Sequence, residues 1–122
     1  MPNYWVDHIH VMSQNPLETA EFYEEVFGAR RVSTVEFDNG RVMVNLDLSG
    51  TKILVSRPGD DSAQTGLDHF GLGTDNLEAA VGELKAKGVE FTQDVTEVRP
   101  GFKISFLLAP QKVSIELQEG NI

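Results

Sequence analysis

Two histidines at matching places in a repeated segment are the residues of this chain best suited to chemistry. His8 lies in VDHIHV at 6–11, and His69 lies sixty-one residues later in LDHFGL at 67–72. Both stretches alternate in character as a half-buried strand does. Equivalent places in two copies of one unit predict equivalent roles for the two imidazoles, which are common ligands of transition metals.

A carboxylate late in the chain extends this set. In VSIELQE at 113–119, Val113, Ile115 and Leu117 form an apolar face, so Glu116 points the other way. A buried glutamate needs a counter-charge, which a divalent cation would provide. His8, His69 and Glu116 are therefore predicted to form a two-histidine, one-carboxylate metal site, which leaves positions open for water, substrate or dioxygen.

Five further residues are candidates for the wall of the same cleft. His10 shares the strand face of His8, but the repeat places Gly71 at its equivalent, so His10 is outside the symmetric ligand set. It is predicted on the pocket wall as the catalytic candidate, a general base near the metal; the alternatives are a residue that orients a ligand and a polar residue without a role. The substrate-binding candidates are polar or pocket-facing residues of the strands: Asn45, Leu54, Lys103 and Ser105. A one-residue bulge would reverse these strand assignments.

The elements that position these residues occur twice. A helix capped by Asn15 and ended by Gly28 has its counterpart sixty residues later, between Asp75 and Gly88. Phe22, Tyr23 and Phe27 on the first helix are predicted core residues. Strands are predicted near 4–12, 30–37, 41–48, 51–57, 67–74, 89–96, 102–108 and 113–119. The chain is thus predicted to be one α+β domain, 1–122, of two tandem βαβββ modules at about 4–57 and 67–119, with a linker at about 58–66.

Composition excludes several classes of function. The 122 residues fit one domain, and the absence of cysteine removes thiolate metal sites and cysteine nucleophiles. The net charge of −9 argues against nucleic acid and anionic membranes as partners. No signal peptide or membrane span is recognisable, so a cytoplasmic location is expected.

The whole chain resembles the vicinal oxygen chelate superfamily, which includes glyoxalase I, methylmalonyl-CoA epimerase, extradiol dioxygenases, fosfomycin-resistance enzymes and bleomycin-binding proteins. The resemblance is carried by DHIHV at 7–11, TAEFY at 19–23 with the following Phe27-Gly28, LDHF at 67–70, and SIEL at 114–117. It implies a cupped mixed sheet around a metal-binding cleft, usually completed in a homodimer. It also implies ligands on the first and last strands of the modules, here His8, His69 and Glu116.

One position departs from part of that superfamily. Leu54 stands in the first module where Glu116 stands in the second. Glyoxalase I and methylmalonyl-CoA epimerase have a carboxylate or amide there, and leucine can neither bind metal nor accept a proton. A three-ligand site is more similar to the dioxygenases or the fosfomycin group, although Arg41, Lys52 and Lys103 form no obvious basic cluster.

The expected function is a metal-dependent enzyme that chelates a small substrate through adjacent oxygens. One divalent ion (Fe, Mn, Ni, Co or Zn) would support dioxygenase-like or lyase/isomerase-like chemistry. The alternatives are a metal-free binding protein of the bleomycin-resistance type, whose acidic character suits cationic drugs, and a lyase like glyoxalase I. Paired histidines and a carboxylate favour the enzyme.

Overall fold

The computed structural model describes residues 2–60 and 64–121. The chain divides into two compact units. The first unit is His8–Asp68, and the second combines Met1–Asp7 with His69–Ile122. Within the second unit, Asn3 binds the Asp75 carboxylate through both its backbone amide and its side chain.

The first module consists of four strands and a helix. They are β1 (Tyr4–Met12), α1 (Pro16–Phe27), β2 (Arg30–Glu36), β3 (Val42–Leu48) and β4 (Thr51–Ser56). The strand order is β2-β3-β4-β1, with β1 parallel to β4 and the other neighbours antiparallel. The tight turns at Gly40 and Gly50, both with positive φ, connect the antiparallel strands.

The second module repeats this plan. Its elements are β5 (Gly66–Thr74), α2 (Leu77–Ala86), β6 (Glu90–Arg99), β7 (Phe102–Ala109) and β8 (Val113–Glu119), with a short 3₁₀ turn at Pro110–Lys112. The strand order is β5-β8-β7-β6, and β5 is parallel to β8. The predicted α+β class and its two tandem βαβββ modules are confirmed.

Each helix covers one face of the strands of its own module. Under α1 lie Val44, Leu46, Ile53 and Val55, and under α2 lie Leu107 and Leu117. The opposite face of each module is called the helix-free face. Because strand side chains alternate, His8, His10 and Leu54 lie on it in the first module and Glu116 in the second.

The helix ends agree with the sequence in the first module and differ in the second. Asn15 caps α1 by accepting a hydrogen bond from the Glu18 amide, and Gly28 ends it with φ 77°. The predicted cap of α2, Asp75, is wrong. Asn76 accepts from the Ala79 amide instead, because the helix begins one residue later than expected, at Leu77, and the Asp75 carboxylate accepts from Asn3.

Two predictions for the first half differ from the structure or fall partly outside it. Phe22 and Phe27 are 52% and 59% exposed and so are not core residues, whereas Tyr23 packs against the core. The linker predicted at 58–66 includes residues 61–63, which lie outside the described residues, and β5 already begins at Gly66. Within the described residues, no helix is long and apolar enough to span a membrane.

Candidate functional site

The helix-free face of the second module carries a buried acid–imidazole pair. His69 Nε2 lies 3.3 Å from Glu116 Oε1, and the two residues are 7% and 8% exposed. Glu116 pairs across β5 and β8 with Gly71, which adds no side chain to this face. Two of the three predicted ligands are thus in direct contact within this unit.

Phe106 forms an apolar wall next to this pair. It is the cross-strand partner of Glu116, and its ring meets the His69 imidazole edge-on at a centroid distance of 5.1 Å. An apolar neighbour excludes water, and electrostatic interactions strengthen where water is excluded. The pair is therefore suited to holding a cation.

Trp5 also lies on this face, because the start of β1 belongs to the second unit. The sequence did not single it out as a site residue. A Cβ built on Gly73 would overlap the Trp5 indole, so the ring lies directly on the glycine. Gly73 is the partner of Gln118 in the β5–β8 register, two positions along from Glu116. The signal in the sequence was the pair Gly71 and Gly73, since alternate glycines in a strand indicate close approach by another group.

The first module contributes two further buried imidazoles. His8 and His10 are 1% and 5% exposed, and their rings lie 5.9 Å apart between centroids. Leu54 is the partner of His10 in the parallel β1–β4 register and of Asn45 in the β3–β4 register. Asn45 and Leu54 therefore share the face of His10, as expected, and their role towards substrate stays a prediction.

A hydrogen-bonded chain extends from His10 along this face. His10 Nε2 lies 2.7 Å from Ser56 Oγ, and Arg41 Nη2 donates to the same oxygen at 3.0 Å. Ser56 is completely buried and its hydroxyl can donate to Met12 Sδ at 3.6 Å. The Ser56 hydroxyl can thus accept from both Arg41 and His10, which fixes the plane of the His10 ring.

Lys103 and Ser105 lie on the face of β7 that α2 covers, so their predicted place on the wall of the substrate cleft is wrong. Lys103 Nζ binds Glu78 of α2 at 3.0 Å, and this contact raises the pKa of the lysine. Ser105 is fully buried opposite Leu117 under the helix. Both faces of β7 carry apolar residues, so alternation alone could not assign the cleft side.

A cavity of about 780 Å³ lies on the α2 side of the second module. Its lining is mainly apolar and includes Leu84, Leu107 and Leu117. These residues belong to the core under α2, so the cavity is on the face opposite Glu116. It is not the place of the predicted chemistry.

The two modules place a polar group at corresponding points of their strand pairs, but on different strands. In the second module Glu116 of β8 faces Gly71 of β5, and in the first His10 of β1 faces Leu54 of β4. The first module thus has an imidazole on the first strand where the second has a carboxylate on the last. Leucine at position 54 can neither bind metal nor accept a proton, but its neighbour His10 offers an imidazole on the same face.

Comparisons with known proteins agree with this architecture. An uncharacterized protein of Bacillus subtilis, YwkD, is 27% identical over 122 residues, covering 93% of this chain and 95% of the relative. A hypothetical protein of Bacillus halodurans has a TM-score of 0.82 at 19% identity, with 98% and 96% of the two chains covered.

Methylmalonyl-CoA epimerases have the same fold. The Streptomyces coelicolor enzyme in complex with 2-nitronate-propionyl-CoA has a TM-score of 0.76 at 22% identity, covering 96% of this chain and 97% of the enzyme. The Mycobacterium tuberculosis enzyme also has a TM-score of 0.76 at 22% identity, covering 96% of this chain and 88% of the enzyme.

The family comparison reaches almost the whole chain. The profile of the Glyoxalase/Bleomycin resistance protein/Dioxygenase superfamily matches residues 5–117, which span β1 to β8 and include all three histidines and Glu116. The chain belongs to the Glyoxalase/Bleomycin resistance protein/Dioxygenase superfamily.

Proposed function

We propose that this protein is a divalent-metal-dependent enzyme that binds a small substrate through two adjacent oxygens. The observation that carries the proposal is the contact between the buried Glu116 carboxylate and the His69 imidazole, 3.3 Å apart. A buried carboxylate costs free energy unless a positive charge compensates it. Membership of the superfamily supports a metal as the compensating charge.

The donor chemistry fits a transition metal. His69 and Glu116 supply one nitrogen and one oxygen, and His8, at the repeat equivalent of His69, supplies a second nitrogen. His8, His10 and His69 are all buried, and each offers a ligand nitrogen, so His10 is an alternative to Glu116 as the third ligand. The metal, when bound, supplies Lewis-acid stabilisation of a negatively charged substrate oxygen.

In this proposal His10 moves the substrate proton. The hydrogen bond between Nε2 and Ser56 Oγ holds the ring, and an imidazole is well suited to accept a proton near neutral pH. Methylmalonyl-CoA epimerases share the fold and have been solved with acyl-CoA compounds. That likeness supports isomerase- or lyase-like chemistry at a carbon beside a carbonyl.

The metal is tested by elemental analysis of chains reconstituted with Mn²⁺, Fe²⁺, Co²⁺, Ni²⁺ or Zn²⁺. About one ion per chain is expected for the wild type, and His69→Ala should lose it while the circular dichroism spectrum is unchanged. Glu116→Gln should bind at least tenfold more weakly. Glu119→Gln is the matched control, because Glu119 is on the same strand but binds the Leu77 amide at the start of α2.

The same measurement separates the roles of His10 and Glu116. His10→Ala is expected to keep one ion per chain, whereas loss of the ion would make His10 a ligand rather than the proton acceptor. Full metal content in a folded His69→Ala variant would contradict the site. A wild-type chain that binds none of these ions would favour the metal-free binding protein instead.

The reaction class needs a separate assay. Isomerase- or lyase-like chemistry predicts that the substrate α-proton exchanges with D₂O. NMR measures this exchange with acyl thioesters and 2-oxo acids as test substrates. His10→Ala should slow this exchange by about a hundredfold or more. Oxygen uptake by the iron-loaded protein with catechols, in the absence of proton exchange, would indicate dioxygenase-like chemistry.

A further inference from the structure

Arg41 is a half-buried cation that has no carboxylate partner among the described residues. It precedes β3 and lies on the helix-free face of the first module, where its guanidinium reaches Ser56 and Met12. Five other basic residues have a carboxylate within 4.0 Å, among them Arg31 with Glu24 at 2.6 Å and Lys103 with Glu78 at 3.0 Å. In a chain with 19 acidic and 10 basic side chains, this lack of a partner calls for an explanation.

The guanidinium is also held in place. Nε donates to the Arg57 carbonyl at 2.8 Å, and Nη2 donates to Ser56 Oγ at 3.0 Å. A fixed guanidinium has lost its conformational entropy before a ligand arrives, which favours tight binding. Its remaining nitrogen, Nη1, has no hydrogen-bond acceptor among the described residues. The two N–H groups of Nη1 can therefore donate to a carboxylate or phosphate oxygen.

The position of Arg41 relates this charge to His10. Ser56 Oγ contacts both Arg41 Nη2 and His10 Nε2. The imidazole and the guanidinium are therefore close enough for one small substrate to contact both. An acidic protein repels an anionic substrate in general, so one fixed cation on the face of His10 selects where the anion is placed.

We propose that Arg41 binds a carboxylate or phosphate group of the substrate, separate from the oxygens that meet the metal. The location of the reacting atoms rests on the proposed function, but the anion site stands on Arg41 itself. The substrate class is accordingly a small acid or phosphate ester that carries adjacent oxygens at one end and the anion at the other.

The test compares paired probes on the zinc-loaded protein by isothermal titration calorimetry. The carboxylate pair is 2-oxoglutarate and 2-oxobutyrate, and the phosphate pair is dihydroxyacetone phosphate and dihydroxyacetone. Within each pair only the distal anion differs. In at least one pair, Arg41→Met is expected to weaken binding of the probe with the distal anion about tenfold to a hundredfold. The affinity for the probe without that anion should change by less than about twofold.

Two variants make the result specific. Arg30→Met is the matched control, since Arg30 is 71% exposed and already faces Asp47 at 4.0 Å. It should change no probe by more than twofold. Arg41→Lys keeps the charge but loses the fork, so an intermediate loss is expected, and it replaces Arg41→Met should that chain not fold.

Equal affinities of the Arg41→Met and Arg30→Met variants for both anionic probes would overturn the proposal. A protein that binds no metal would refute the proposed function but would not decide whether Arg41 binds an anion. The anion site is then measured on the metal-free chain, from the NMR shift of the Arg41 Nε–H signal on titration with succinate and with inorganic phosphate. A shift that saturates with either anion supports the site, and no shift with both overturns it.

Discussion

At the scale of single residues, the two glycines of β5 shape the site as much as the ligands do. Gly71 faces Glu116 in the β5–β8 register without adding a side chain there, and Gly73 leaves room for the Trp5 indole. A side chain at either place would point from the strand into the same helix-free face. The chemistry of this face therefore depends on positions that carry no functional group.

Gly73→Ala is expected to displace Trp5 and to lower the free energy of unfolding by about 1–3 kcal/mol, because the new methyl group overlaps the indole. Trp5 is the single tryptophan of the chain, so a red shift of its fluorescence reports the displacement. Gly82→Ala is the control. Its added methyl group meets open space on α2, so it should raise stability by about 0.4–1 kcal/mol. An unchanged Trp5 spectrum in Gly73→Ala would contradict the packing.

Ser105→Ala should leave metal and substrate binding intact, because Ser105 is under α2. Its buried hydroxyl has no hydrogen-bond partner among the described residues. Exchange for a methyl group removes a desolvated polar atom, so stability should stay equal or rise by up to about 1 kcal/mol in urea unfolding. Ser114→Ala on β8 serves as a half-buried control. A loss above 1 kcal/mol, or weaker metal binding, would show that the hydroxyl has a function.

At the scale of elements, adjacent polar residues before α2 divide two tasks. Asn76 caps the helix, while Asp75 binds the N-terminal segment at Asn3. The helix start and the attachment of residues before β1 are therefore controlled by neighbouring side chains of similar type. Substitutions can separate the two tasks.

Asn76→Ala is expected to lower the free energy of unfolding by about 1 kcal/mol, the usual effect of losing a cap. Hydrogen exchange at the Ala79 amide should become faster in this variant and stay unchanged in Asp75→Ala. The Asn3 amide should show the reverse pattern. Faster exchange at Ala79 in Asp75→Ala would instead make Asp75 the cap.

Attachment of the N-terminal segment should depend on pH. The hydrogen bond from the Asn3 amide lowers the pKa of Asp75 in the folded chain. A lowered carboxyl pKa stabilises the folded form above the unfolded pKa of about 3.9, and this contribution is lost as the pH falls through the lower folded value. The Asn3 amide shift should therefore titrate below about pH 4. In Asp75→Asn that titration should disappear; its persistence would assign the effect to another group.

At the scale of the whole molecule, α1 presents an apolar surface of the kind that an interface covers. Phe22, Val26 and Phe27 are 52%, 55% and 59% exposed. Exposed apolar patches on this scale are typical of interaction sites. These exposed residues support the predicted homodimer. The homodimer, the cytoplasmic location and the small-molecule partner all stay predictions.

Light scattering coupled to size exclusion should give twice the chain mass of 13.5 kDa. The net charge of −9 opposes association, so the dimer should strengthen as salt rises. Phe22→Ser should shift the equilibrium towards the monomer, with Glu36→Ser on β2 as an exposed control. A monomeric wild type at about 0.1 mM and 0.5 M salt would refute the homodimer.

Much of the fold could be predicted because its signals are local or repeated. The caps at Asn15 and Gly28, the Asn39-Gly40 turn and the strand ranges follow from short-range preferences, and the observed strands match them within a few residues. The contact between His69 and Glu116, forty-seven residues apart, was predictable because repeat position and strand parity agreed. The faces of Lys103 and Ser105 were not, since β7 is apolar on both sides.

By itself the sequence determined the two modules, their helix and strand order, and the face that carries His8, His10 and Glu116. Those features depend on periodicity and repetition, which are properties of the linear chain. Only the tertiary structure decided that Trp5 packs on Gly73 and that Arg41 and His10 share the Ser56 hydroxyl. Such contacts join residues distant in sequence through side-chain conformations and strand register, which no local pattern specifies.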